Sequence, residues 1–494
     1  CQPEFTVVGP VELDSAVAYY GANLSGRDSR ASSFYREATM KAMAVHQDWD
    51  GFGNDGNGSI DMVFFIFAGL GENNTRGMYP DLLWPKENTS SITLNGKTFS
   101  TYAMTCECRP TQWNEERTQV IETATDGVGV FIHELSHALG LPDFYDTNYV
   151  AFGMDIWSVM DYGEYGGDGY NPGNYTAYER NFMGWRPLKT LDQPCVLTYK
   201  IQNDSAANEY YIIENRQPRG WDDWVGQRGH GLQVTRVDYD ASRWRNNKVN
   251  AVADHQRMTI IAANENYRGT NISDITRAEW YVTLAGNLFP GDTYKYDLTD
   301  ESTPAAMVYT GGLIHKPLRN ITENEDGTVT VCFRTNGKLD VPVTEVANRE
   351  FDAFDIKLVT QKGATKYPLE IYKDGSLLRR DTIAPITITP FAASVVETHI
   401  DGLSEGTTFA YRIKAMADSP EDYLESEWSD FVHFSTLVNF VDGLSESSKW
   451  VDVYGLNGVC VSRCYADELK RLSLRRGVYI VRYGNGACRK VLLQ

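Results

Sequence analysis

The stretch that most constrains this chain is HELSHALGLPD, residues 133 to 143. On a helix, residues four apart share one face about one turn from each other, so His133 and His137 can aim two imidazoles at one ion. Glu134 lies beside them, placed to hold a water rather than to bind metal. Zinc lowers the pKa of a coordinated water to about 7, and Glu134 can take its proton. A catalytic zinc needs three protein ligands and one open position. Gly140 lets the chain leave the helix through a conformation that other residues resist, so the chain can double back and deliver Asp143 to the same ion. Asp146 is the next candidate, and Glu164 or Glu179 would serve if the third ligand came from a later helix. A buried helix with two core histidines is the plain alternative, but HExxHxxGxxD is much rarer by chance than HExxH alone. SVMDY (158–162) follows closely, apolar where a floor under the metal is needed.

The 494 residues exceed what one core can hold and predict three or four domains. Residues 1–187 alternate strand and helix signals. SIDMVFFIFAG (59–69) reads as a buried strand, ITLNGKTFSTYAMT carries an Asn95-Gly96 hairpin turn, and DGVGVFIHELSHALG reads as a buried helix ending at Gly140. The open metal position is expected between that helix and the strand near 62–68, where a strand edge can pair with an extended peptide. Residues 188–336 read as short strands and turns, 340–437 as a β-sandwich, and a Ser-rich joint leads to a last unit over 445–494 with a hairpin around Gly484-Asn485-Gly486. Trp221, Trp224 and Trp244 read as core or domain-packing residues, and His230 as structural.

No stretch of 18 or more apolar residues is present to span a membrane. Lys and Arg total 46 against 66 Asp and Glu, a net charge of -20 that repels phosphate backbones and argues against nucleic acid as a partner. Excess carboxylates suit calcium. Asp55, Asn57, Ser59 and Asp61 alternate around Gly58 as in the first nine positions of an EF-hand loop, but Phe64 stands where its last glutamate belongs. That leaves a looser calcium loop, with a polar turn as the alternative. Eight cysteines are spread too thinly for a disulfide scaffold, although Cys195 and Cys332 bracket a β-rich stretch and could bridge its ends. The chain starts at Cys1 with no visible signal peptide, as a processed chain, a fragment or a mature lipoprotein would.

HELSHALGLPDFYD followed by FGMDIWSVMDYGEYGGDG resembles the immune inhibitor A family of bacterial secreted metalloproteases. FTVVGPVELDSAVAYYGAN, IDMVFFIFAG, EYYIIENRQPRGWDDW, GHGLQVTRVDYD and NLFPGD extend the resemblance, in the family's order, over about residues 4 to 335. It implies an α+β, metzincin-like zinc protease domain over 1–187, short of its N-terminal part, with a β-rich domain of the protease over 188–336. His133, His137 and Asp143 would be the zinc ligands, Glu134 the general base, Met160 the Met-turn beneath the zinc, and Tyr162 a stabiliser of the oxyanion. LSEGTTFAYRIKAMA and SEWSDFVHFST resemble a fibronectin type III domain, with Phe409 where its corner tyrosine belongs. VDVYGLNGVCVSRC and LRRGVYIVRYGNGACRKVLLQ resemble the C-terminal sorting domain of type nine secretion substrates, which implies contact with secretion machinery. The expected protein is a secreted or cell-surface bacterial zinc metalloendopeptidase acting on protein substrates, with calcium as a structural ion. The alternatives are a catalytically silent, protease-like adhesin and another kind of zinc hydrolase. An intact Glu134 argues for catalysis.

Overall fold

A computed structural model describes residues 5–493, leaving out 47–48, 50, 53–58, 76, 192, 194, 197–199, 269–274, 385–393, 438–449, 473, 476 and 485–487. The chain forms two compact units, residues 1–334 and 335–494.

The first unit opens with helices α1 (Val17–Tyr20) and α2 (Ala31–Val45). A mixed sheet follows. Strands β1 (Ser59–Ile60) and β2 (Val63–Leu70) run parallel to one side of the 17-residue strand β4 (Lys97–Trp113). On its other side, β3 (Lys86–Leu94) and β5 (Val120–Thr125) pair antiparallel with it. The β3–β4 hairpin turns at Asn95 and Gly96, both in the left-handed region (φ +48° and +78°), as a two-residue turn matching strand twist requires.

Successive strand residues face opposite sides of a sheet. Phe65 and Phe67 of β2 meet Phe34 of α2, with ring centres 5.4 and 6.4 Å apart, while Phe64 meets Phe131 of helix α3 (Gly129–Ala138) at 4.3 Å. The two helices therefore cover opposite faces. The strand expected at 59–69 exists, but it is less buried than its apolar run suggests: only Phe67 within β2 is fully buried, and Ile66 is 67% exposed. Among the described residues, β2 pairs only with β4, which leaves it at the sheet margin.

Beyond helix α4 (Ala177–Phe182), the unit turns β-rich. Strand β6 (Cys195–Val196) joins a three-stranded sheet with β11 (Leu318–Glu323) and β12 (Val329–Phe333). An antiparallel sheet has the order β10 (Met258–Ile260), β9 (Gly231–Asp238), β8 (Glu209–Arg216), β7 (Lys200–Gln202). Helices α5 (Asp223–Gly226) and α6 (Ala241–Arg245) join β8 to β9 and β9 to β10, and α7 (Arg277–Ala285) follows β10. One core takes Leu141, Phe144 and Trp157 together with Ile212, Trp244 and Trp280, so residues on both sides of position 187 bury the same apolar surface. Arg216 of β8, fully buried, donates to both oxygens of Asp222 (2.8 and 3.0 Å) and to the Trp157 carbonyl (2.6 Å). A buried guanidinium needs this pairing, and here it ties the second sheet to the chain just before Met160. Trp244 is core as expected, whereas Trp221 is 50% exposed. Cys332 lies opposite Val196 and Phe333 opposite Cys195, which sets the two cysteines on paired strands one residue out of register.

In the second unit, β13 (Thr344–Ala347), β14 (Phe354–Val359) and β17 (Val395–Ile400) form one antiparallel sheet. The strands β15 (Tyr367–Lys373), β16 (Ser376–Ile383), β18 (Thr408–Ile413) and β19 (Val432–Ser435) form another. Phe354 and Ile356 from one and Leu369, Tyr411 and Phe434 from the other share a core, the packing of a β-sandwich. Strands β20 (Trp450–Gly455), β21 (Cys460–Tyr465), β22 (Gly477–Tyr483) and β23 (Cys488–Leu493) make a last sheet over a separate core of Val451, Val453, Leu469 and Val481. β22 and β23 pair antiparallel as the expected hairpin requires; Asn485 and Gly486 lie outside the described residues.

Candidate metal centre

Helix α3 ends two residues before Gly140. Gly140 has φ +97°, its N–H donates to the His137 carbonyl (2.9 Å), and the Leu141 N–H donates to Ser136 (3.1 Å). This is a Schellman ending, in which the residue after the cap turns left-handed and reverses the chain. A side chain at position 140 would find room, with only Phe182 at 3.6 Å, so the backbone angle is what calls for glycine. The reversal brings Asp143 back over the helix.

His133 Nε2 and His137 Nε2 stand 3.1 Å apart, and Asp143 Oδ1 lies 3.2 and 3.1 Å from them. The other ring nitrogens settle what these atoms offer. His133 Nδ1 is 2.8 Å from the Val159 carbonyl and His137 Nδ1 is 2.7 Å from the Leu141 carbonyl. A carbonyl only accepts, so each Nδ1 carries a proton and each ring, unless Nε2 is protonated too, presents a lone pair there. Asp143 Oδ1 is buried and accepts no well-formed hydrogen bond. Three lone pairs thus meet at one point, an arrangement that only positive charge satisfies. A tetrahedral zinc with bonds near 2.0 Å has ligand–ligand edges of about 3.3 Å, which this triangle matches.

The electrostatics agree. Burial opposes charge on His133, but Glu164, Asp143 and Glu134 outweigh it and raise its pKa well above the imidazole range. Burial likewise opposes charge on His137, and Asp143 raises it. Burial would raise Asp143, yet the two histidines hold it well below the usual carboxylate range. Burial pushes Glu134 up, with the histidines pulling it partly back. Glu164 is pushed up to about 7, first by burial, against the pull of His133. The centre favours added positive charge, whether protons or a divalent cation.

The turn around Met160 adjoins the site through the Val159 carbonyl that faces His133 Nδ1. Met160 is fully buried, its carbonyl accepts from the Phe144 N–H (2.8 Å), and its N–H donates to Ser158 Oγ (3.0 Å). The other ligand candidates are engaged elsewhere. Asp146 accepts from the N–H groups of Asn148, Val150 and Ala151. Glu179 accepts from Ser158 Oγ at 2.5 Å and caps helix α4 with Thr176. Glu164 stands 3.5 Å from Nδ1 of His133, the ring atom facing away from the triangle.

Tyr162 packs edge-on to Trp280 (5.3 Å) and beside Tyr165 (5.0 Å). Tyr145 and Tyr149 both feel Asp143: the pKa of each is raised first by burial and then by that carboxylate, and their rings stack on each other. The backbone of Glu87 in β3 adds to the histidines in pulling Glu134 back down. Asn247 also belongs to the site. Its Oδ1 accepts from the Asp143 N–H (2.7 Å), and its Nδ2 donates to Asp143 Oδ2 (2.5 Å). Nothing in the local sequence marks it beyond an Asn-Asn pair suited to a helix end.

Residues 4–186 match the family model of the immune inhibitor A peptidase M6 catalytic domain. That segment contains every residue of the triangle, Glu134 and the Met160 turn. Immune inhibitor A of Bacillus thuringiensis subsp. alesti is 32% identical over 433 residues, covering 74% of this chain and 60% of that protein. Pre-pro-metalloprotease PrtV of Vibrio cholerae serotype O1 (strain M66-2) is 28% identical over 190 residues, 34% of this chain and 20% of that protein. The chain therefore spans less than two thirds of the length of either relative. Among solved structures, the sixth fibronectin type III domain of human fibronectin type III domain containing protein 3 is 20% identical, covering 21% of this chain and 88% of that chain at a TM-score of 0.16.

Of the calcium loop, Asp55 and Asn57 lie outside the described residues. Ser59 Oγ donates to the Thr98 carbonyl (3.2 Å), which holds it against β4. Asp61 is exposed. Among the described residues, no helix is long and apolar enough to cross a membrane.

Proposed function

We propose that this chain is an exported bacterial zinc endopeptidase. The observation that carries the reading is the meeting of three lone pairs from His133, His137 and Asp143 at 3.1–3.2 Å. The peptidase match over 4–186 supports it. His133, His137 and Asp143 would hold the zinc, which supplies Lewis acidity to the scissile carbonyl and to the attacking water. Glu134, whose pKa burial raises against the pull of the two histidines, takes the water's proton and passes it to the leaving amine. The Met160 turn holds His133 in orientation through the Val159 carbonyl. Among the described residues β3 pairs only with β4, so its free edge beside Glu134 offers backbone groups to an extended peptide. Tyr162 is assigned to the oxyanion by resemblance alone. The same holds for the fibronectin type III domain at 340–437 and the sorting domain at 445–494, while the calcium loop rests on the alternation of Asp55, Asn57, Ser59 and Asp61.

The test is zinc content and casein cleavage, with and without a chelator, for the wild type and Glu134→Ala. One zinc per chain is expected in both proteins, with chelator-sensitive cleavage by the wild type and about 10²–10⁴-fold less by the variant. Bound zinc without cleavage would favour another zinc hydrolase. A well-folded chain that holds no zinc would sink the proposal and favour the adhesin.

A further inference from the structure

Helix α6 ends like helix α3. The Asn247 N–H donates to the Trp244 carbonyl (3.2 Å), the Lys248 N–H donates to Arg243 (2.8 Å), and Asn247 sits in the left-handed region at φ +51°. This is a second Schellman ending, and glycine is the usual residue at its turning position. The backbone alone would be served by glycine, so the asparagine side chain needs another reason. Its two hydrogen bonds to Asp143 provide one.

The orientation of the amide is fixed by chemistry. The Asp143 N–H can only donate, so the atom facing it is Oδ1, which leaves Nδ2 for the carboxylate. Holding Oδ2 and the Asp143 N–H together fixes the rotation of the carboxylate, and Oδ1 is the oxygen left facing the two imidazoles. Trp244 of α6 packs against Phe144 (6.4 Å), which anchors the turn beside its target. The neighbouring contacts form a clamp between the same two segments. Asn250 Nδ2 donates to the Phe144 carbonyl (2.7 Å), Asn148 Nδ2 to Ala251 (2.7 Å) and Thr259 Oγ1 to Gly153 (2.6 Å). Of these rungs, the one from Asn247 reaches the carboxylate that faces the imidazoles, which Tyr145 also approaches.

We infer that Asn247 is a positioning residue for the metal centre: it selects which oxygen of Asp143 binds the ion and holds it there. The inference rests on the zinc reading of His133, His137 and Asp143. Partners that orient a metal ligand typically govern affinity by about 10–100-fold.

The test uses the full chain and three variants. Zinc affinity is measured by competition with a chromophoric chelator, and the metal-free melting temperature by circular dichroism. Asn247→Gly keeps the left-handed backbone and deletes only the side chain. Asn247→Ala deletes the same groups and adds backbone strain. Thr259→Val removes another rung of the clamp. The expected result is a similar loss of about 10–100-fold in zinc affinity for both Asn247 variants, although the alanine form melts lower. Cobalt in Asn247→Gly should show altered visible bands, and Thr259→Val should melt lower with its zinc affinity intact. Wild-type affinity in Asn247→Gly would overturn the inference alone, as would affinity losses that merely follow melting temperature across the three variants. A wild-type chain that binds no zinc would overturn the metal reading and this inference with it.

Discussion

At the scale of the residue, the Nδ1 atoms of His133 and His137 decide what their Nε2 atoms can do. Each is held by a backbone carbonyl, so both rings turn a lone pair towards Asp143. Glycine has an equally local role at the start of the same helix. A Cβ on Gly129 would stand 1.8 Å from the Glu164 carbonyl oxygen, so the helix and the turn after Met160 approach at backbone distance. Gly129→Ala is expected to lower stability by about 1–3 kcal/mol, through overpacking, in urea unfolding with chelator present. An unchanged unfolding midpoint would show that the contact yields freely. The motif residues could be read in the sequence because their geometry is local: four residues set the histidine pair and one left-handed glycine sets the return. Asn247 could not, because its partner lies 104 residues away. Tyr145 was missed for another reason. The chain reversal at Gly140 that returns Asp143 also brings Tyr145 beside that carboxylate, and no spacing in the motif marks a tyrosine there.

At the scale of the element, periodicity and turn chemistry carried the helix over the motif and the hairpin at Asn95-Gly96. They failed on β2, where an apolar run cannot say whether a strand has neighbours on both sides. Its position at the margin of the sheet left Ile66 in solvent. In the second unit, β15, β16 and β18 share a carboxylate. Burial would raise Glu370, but hydrogen bonds from Tyr372, Arg380 and Arg412 outweigh it and hold its pKa at about 2. A folded pKa below the unfolded one stabilises the fold above about pH 4.5, and the contribution fades as pH falls towards 2. Acid titration of stability should therefore show a loss in that window. Glu370→Gln should be less stable at neutral pH and lack that loss; an identical acid profile in both proteins would remove the network from the account.

At the scale of the molecule, the two units bury separate cores, and the metal centre lies wholly in residues 1–334. A chain ending after Arg334 should keep stoichiometric zinc and its unfolding transition, read by metal analysis and calorimetry; loss of zinc on that truncation would mean the second unit supports the first. Composition carried the acidic balance of the whole chain. It could not show that one core crosses residue 187, since the apolar positions on the two sides have no common period. The clamp between residues 143–153 and 247–259 bears on the order of assembly. A ribosome delivers His133, His137 and Asp143 long before Asn247, and loop closure over a hundred residues is slow beside the forming of one helix. The helix can form early, but its third arm is steadied only when the second sheet docks. A growing or half-folded chain thus carries the motif before Asn247 can reach Asp143.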